Sequence, residues 1–373
     1  MGIALRFGLA LRLHIRNEDP SDTAVKKEIL ARTWWSIYSL ERILSAATGR
    51  PPADIETYCS AMLPLPISCE EVDETAIQNM FGWQPKYTSF REISQFTAGL
   101  SLVNIHEPAN SGTFLTSTVK LGILLQKIMA ELYSPGIVSQ SWEDIQRIIA
   151  QLLQDLETWM ARLPLYLTPF ETDNGSQPMQ YERNILRIYY YSTKMLISRP
   201  CLCRLDRRIA QTSQSSTDFN NRIAAVCVES AMAITTLLPD DMISGASRIY
   251  SIYPWWAAIH YVIQSLAILL LEACYQIEQP EIVLALKKLV HWLRVLRTGN
   301  GMARRGYSIV MDLLKKSVGR VKFVRAPTTR FTSLSLSRQA LSWPRNIQSQ
   351  HYTKHHRKDN RPLTSLCRTF LIS

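Results

Sequence analysis

Between Trp142 and Leu163 the apolar side chains fall at 142, 145, 148, 149, 152, 153, 156, 159, 160 and 163. That three-and-four spacing lays them on one face of a helix, with Ser141 placed to cap its start and Pro164 to stop it. The same grammar predicts helices over 119–133, 181–199 before Pro200, 218–238 before Pro239, 255–277, 281–297 before Gly299, and 302–318. Strict alternation of apolar and polar residues is hard to find, so strands are not expected, and no period of 30–45 residues points to a solenoid. The fold class predicted is all-α, a multi-helix domain over 1–318. The intervening loops are expected at 52–75, 82–89, 104–113, 164–179 and 204–217.

Charge is distributed unevenly. The net charge is +11 over 373 residues, but residues 326–373 hold eight Lys or Arg against the single acid Asp359. The rest is close to neutral, which does not fit a DNA-reading body, where positive charge gathers in a patch or stripe. Residues 319–373 are expected to be a basic, disordered tail. The seven cysteines (Cys59, Cys69, Cys201, Cys203, Cys227, Cys274, Cys367) form no C-x-x-C pair, which excludes ordinary zinc-ligand spacing and argues for reduced thiols. Residues 249–271 carry no Lys, Arg, Asp or Glu. They also contain Pro254, His260, Gln264 and Ser265, and read as a central core helix rather than a membrane span.

The stretch "WWSIYSLERILSAATGRPP" at 34–52 reads as a helix packed on several sides. Asp19-Pro20-Ser21-Asp22 offers a capping start, Gly49 a left-handed exit, and Pro51-Pro52 a block to resumption. Nothing in it pairs a nucleophile with a base. Glu41 lies inside the apolar arc, one turn from Tyr38 and Leu44, so it is predicted to be buried and neutralised. Arg42 points about 100° away around the helix. Arg50 is therefore the expected partner, through the Gly49 turn, with Arg199 second.

The pair Trp34-Trp35, then Glu41-Arg42, then Gly49-Arg50-Pro51 resembles the middle-homology, or fungal-specific, domain of fungal zinc-cluster transcription factors. Upstream, "GIALRFGLALRLHIR" is similar to a helix of that family ending in His14 and Arg16, with Arg12 where Gly is usual and Glu41 in place of the commoner Asp. "LETWMARLP", "ILRIYYYSTKMLISRP", "CVESAMAI", "PWWAAIHYVIQSLAILL" and "WLRVL…MARRGYSIV" resemble later helices in the same order. The resemblance covers roughly 2–318 and implies a nuclear regulatory domain acting on RNA polymerase II transcription, not an enzyme. It also implies that zinc and DNA recognition belong to a six-cysteine cluster that these residues do not contain, and that Met1 follows an N-terminal truncation. Expected partners are a small-molecule inducer or a co-regulator protein, a homodimer being a further candidate, with no membrane and no cofactor in this chain. Trp255, Trp256 and Tyr261, with Tyr189–Tyr191, are a candidate effector pocket, although core packing alone would gather the same aromatics.

The competing reading is an all-helical enzyme of isoprenoid or lipid metabolism. Asp240-Asp241 is its one foothold, but an aspartate-rich metal site needs a third carboxylate at 244, where Ser244 stands. His14, His106, His260 and His291 lack metal-ligand spacing, His355-His356 lies in the tail, and there is neither a Gly-rich phosphate loop nor G-x-S-x-G.

Overall fold

A computed structural model describes residues 1–80, 110–168, 179–204, 214–240, 253–275 and 279–317. Among these residues there are ten α-helices and no strand. They are α1 (Gly2–Ala10), α2 (Ala24–Thr48), α3 (Glu74–Met80), α4 (Ser111–Leu132) and α5 (Trp142–Ala161), followed by α6 (Gln180–Arg204), α7 (Gln214–Leu237), α8 (Trp255–Tyr275), α9 (Pro280–Leu296) and α10 (Gly301–Ser317). The all-α class is as expected. The expected loop 82–89 and the tail 319–373 lie outside the described residues.

Local chemistry sets the start of α5 and both ends of α2. Ser141 accepts the Asp144 amide at 3.1 Å at the start of α5, and the stripe Ile145, Ile149, Leu152, Leu156, Trp159 and Met160 is buried as the spacing predicts. Thr23, not residues 19–22, caps α2, accepting from the Lys26 amide at 3.2 Å. Gly49 ends that helix in the left-handed region at φ 65°, a conformation that costs glycine little.

Three boundaries differ from expectation. Helix α4 starts at Ser111 rather than 119, and its first turns are rich in Gly, Thr and Ser, which are poor helix formers. Their hydroxyls turn inward on the preceding turn: Thr116 on the Gly112 carbonyl (3.0 Å), Ser117 on Thr113 (2.8 Å) and Thr118 on Phe114 (2.9 Å). Burial of this face, not propensity, carries the helix. Helix α7 likewise starts at Gln214, inside the loop expected at 204–217.

The third difference is Pro200, which does not stop α6; the helix runs on to Arg204. Proline lacks the N–H that would bond the carbonyl four residues back, which is Leu196. That carbonyl accepts instead from the Tyr133 hydroxyl of α4 at 2.6 Å. The backbone group orphaned by proline is satisfied from a neighbouring helix, so the interruption is tolerated.

Packing proceeds from neighbour to neighbour. Helix α1 lies on α2, α2 on α4, α4 on α5, α5 on α6, and α6 on α7; α8 then packs on α7 and α9, and α9 on α10. A continuous apolar core runs from Ile43 through α4–α9 to Val310. A second cluster joins Leu5 and Leu13 to Trp34, Trp35, Tyr38, Val119 and Ile123. Residues 52–71 have only two short 3₁₀ turns, Glu56–Tyr58 and Cys69–Glu71. They form a strap that runs back along α2 and leads into α3. No helix among the described residues is long and apolar enough to cross a membrane.

Candidate functional site: the strap between α2 and α4

Trp34 and Trp35 are fully buried. Their ring N–H groups donate to the strap, Trp34 to the Cys59 sulfur at 3.2 Å and Trp35 to the Met62 carbonyl at 2.6 Å. Two adjacent indoles are needed because the rings diverge and grip successive points of one segment. Each also fills core space, and burial of such a side chain contributes about 2–3 kcal/mol. Burial pushes the Cys59 thiol up, which makes it an inert acceptor rather than a nucleophile.

At the C-terminal end of α2, Glu41 is buried as expected, at 8% exposure. Its partner is not Arg50, which is exposed on the surface, nor Arg199, which stacks on the Tyr133 ring at 5.1 Å. The partner is Arg42, whose side chain is fully buried between Glu41 and Glu56. Arg42 also donates to the Ala53 carbonyl at 2.8 Å and lies 4.4 Å from the Tyr38 ring centre. The 100° between the Cβ directions did not keep the pair apart, because Glu56 and the Tyr38 ring draw the long guanidinium arm back. Glu41 also accepts from Ser45 at 3.0 Å and from the Ala53 amide at 3.1 Å, so its charge is matched on every side. Burial pulls the Arg42 pKa down, Tyr38, Glu56 and Glu41 pull it up, and the balance is upward.

A second buried ion pair, not expected from the sequence, holds the other end of the strap. Arg32 donates to Glu28 at 2.8 Å and to the carbonyls of Leu65 (3.2 Å) and Ile67 (2.7 Å). Glu28 in turn accepts the Leu65 amide at 2.8 Å. Glu28 and Arg32 stand four apart on α2, and that spacing was visible, but an i,i+4 pair on a helix is usually a solvated surface feature. Only the folded strap buries it.

Helix α4 closes the strap from the other side. Asn110 donates to the Pro66 carbonyl at 3.0 Å, the Thr116 hydroxyl shares its proton between the Gly112 carbonyl and the Pro64 carbonyl, 3.3 Å away, and Ser111 accepts the Cys69 amide at 2.9 Å. Gly112 lies so near that a Cβ there would meet the Ile67 carbonyl oxygen at 2.1 Å. Only glycine allows this approach. Signature residues Trp34, Trp35, Glu41, Arg42 and Gly49 therefore converge on one task, binding the strap to α2 and ending the helix beside it. Arg50 and Pro51 sit exposed on the exit turn.

Residues 1–161 match the family model described as "Fungal specific transcription factor domain". This segment is similar to that family. It contains α1–α5 and the whole strap, and the apolar core continues past it into α6–α10.

The chain is also 25% identical over 304 residues to "Transcription regulator galc" of Aspergillus niger, an alignment covering 72% of this chain and 36% of that protein. It is 24% identical over 326 residues to "Thiamine repressible genes regulatory protein thi1" of Schizosaccharomyces pombe, covering 84% and 35%. "Transcription factor FBD3" of Fusarium pseudograminearum matches at 23% identity, covering 70% and 33%. The matches span about a third of the length of these three relatives. No solved structure matches the chain.

Tyr261 is buried and lines, with Tyr189 and His260, a void of about 20 Å³, room for one water and not for an inducer. The side chains of Trp255 and Trp256 lie outside the described residues. Asp240 pairs with Lys288 of α9 at 2.6 Å, which is an ordinary surface role. Among the described residues no three His, Cys, Asp or Glu side chains gather as metal ligands. The larger space lies elsewhere, a cleft of about 690 Å³ between the turn after α1, the N-terminal half of α2, the strap and α3.

Proposed function

We propose that this chain is the regulatory body of a nuclear fungal transcription factor, a non-enzymatic module that restrains transactivation until an effector or co-regulator shifts it. The observation that carries the reading is the domain match over residues 1–161, the segment in which every signature side chain but two is committed to holding the strap. Groups engaged in structural bonds are not free for chemistry, which argues against a catalytic role for the motif. Zinc binding and DNA reading are assigned in this proposal to a cysteine-cluster segment outside the 373 residues. A switch of this kind needs two conformations that the effector binds unequally.

The test is a reporter assay in a fungal host. The chain is fused between a bacterial DNA-binding domain and a strong activation segment. This fusion is expected to give lower output than a direct fusion of the two flanking parts, and Arg42→Leu is expected to restore it. Equal output with and without the chain would contradict the reading.

A further inference from the structure

The 690 Å³ cleft has two walls, an apolar floor and a charged rim, with Ala31 shared by wall and floor. One wall is a single stripe of α2, Ala24, Lys27, Glu28 and Ala31, spaced i, i+3, i+4 and i+7. The opposite wall is the turn after α1, pinned to the strap where the Ser60 and Ala61 amides donate to the His14 carbonyl at 2.9 and 3.0 Å. The floor is apolar and buried: Leu13, Ala31, Ala61, Leu65 and Ile77 are each at most 9% exposed. Leu11 and Ile15 extend that apolar surface outward onto the lip, at 69% and 46% exposure.

The rim is charged, and the charges do not cancel. Glu28 is matched by Arg32 and the Leu65 amide, and Glu18 lies 3.7 Å from Arg16. Arg12 and Lys27 line the same cleft; Lys27 is answered in part by nearby Asp22, Arg12 is exposed on the rim, and together they leave the lining residues a cationic surplus. Arg12 sits at φ 57°, in the left-handed region where a β-carbon is strained. Glycine would adopt this conformation at little cost. Holding an arginine there costs stability and places a guanidinium on the rim.

We propose that this cleft binds a small organic anion, an apolar body of drug-like size bearing one carboxylate, with Arg12 and Lys27 drawing the carboxylate and the floor covering the body. The volume lies within the range of small-molecule sites, and an apolar floor with a few charged rim groups is their usual composition. A cationic amphiphile would meet the wrong field, and a neutral one would leave the rim charges unanswered. The inference rests on the regulatory reading for its purpose alone, since it names the chemical class of the effector. Binding is measured on the purified chain, so its failure leaves the reporter assay as an independent test of that reading.

The experiment titrates the purified full chain with decanoate by calorimetry, below its micelle concentration, beside decanol and decyltrimethylammonium. Decanoate is expected to bind one to one, at least about tenfold more tightly than the cation. Lys27→Gln, a substitution on the cleft wall that leaves the Glu28–Arg32 pair in place, should weaken decanoate at least about threefold. Arg12→Gly should weaken it similarly while raising the melting temperature by about 1–3 °C, because it removes backbone strain along with the charge. Loss of affinity with gain of stability cannot come from misfolding. No decanoate binding, equal affinity for the cation, or wild-type affinity in either variant would overturn the proposal.

Discussion

Arg42 shows how much one side chain can decide. It lies between buried Glu41 and half-buried Glu56, so Arg42→Leu leaves the two carboxylates facing each other without a counter-charge and is expected to cost about 3–5 kcal/mol. Glu41→Gln leaves Arg42 its bond to Glu56 and should cost only about 1–2 kcal/mol. Arg50→Ala removes an exposed side chain and should stay within about 0.5 kcal/mol of wild type. Urea unfolding of the three variants checks that order, and a large loss at Arg50 with little at Arg42 would reverse the assignment. The burial of Glu41 was legible from its place on the helical wheel. Its partner was not, because the wheel fixes Cβ directions and says nothing of a strap that returns fourteen residues later with a second acid, Glu56. The pair Glu28 and Arg32 stood at a visible spacing, but its burial is a tertiary fact.

At the scale of elements, two devices join parts that sequence periodicity treats separately. Tyr133 of α4 supplies the donor that Pro200 denies to the Leu196 carbonyl of α6. Tyr133→Phe leaves that carbonyl without its donor and should cost about 1–3 kcal/mol in urea unfolding, with helical content by circular dichroism little changed. If Tyr133→Phe were neutral, some other group would have to satisfy the carbonyl. Gly112 is the second device. Gly112→Ala puts a methyl group within 2.1 Å of the Ile67 oxygen, so the strap or α4 must shift. The loss is expected at about 2–3 kcal/mol even though alanine is the better helix former; a stabilised Gly112→Ala would show that the approach is not real. Helix existence was legible throughout because the three-and-four spacing is strong. The first two turns of α4 were not, since Thr and Ser there pack against a strap that only tertiary structure supplies. The run of α6 through Pro200 was hidden for the same kind of reason, the compensating hydroxyl lying in another helix.

For the whole molecule, burial of neutral histidine predicts an acid limb. His260 of α8 is pulled down to about 4, by burial first and then by Arg199, and burial lowers His14 as well. In the unfolded chain histidine titrates near about 6.5. Between about pH 6.5 and 4 the unfolded state therefore binds more protons, so this contribution is complete above that window and is lost as pH falls through it. His260→Gln should flatten the decline of unfolding free energy across that window; an unchanged slope would assign it to other groups. The fold class and the family resemblance were legible at this scale because ordered apolar helices and a compact motif survive in sequence. The cleft was not, because its two walls come from segments that are brought together only through the strap.

The central structural claim is that residues 52–71, although almost without regular structure, are held as firmly as the helices on either side. Native-state hydrogen exchange at the amides of Ala53 and Leu65 tests it most directly, since each donates to a buried carboxylate of α2, Glu41 at 3.1 Å and Glu28 at 2.8 Å. Both amides should be protected to within roughly tenfold of interior amides of α2, so that strap and helix open as one unit. Exchange at these two positions at the rate of an exposed loop, with α2 protected, would contradict the account.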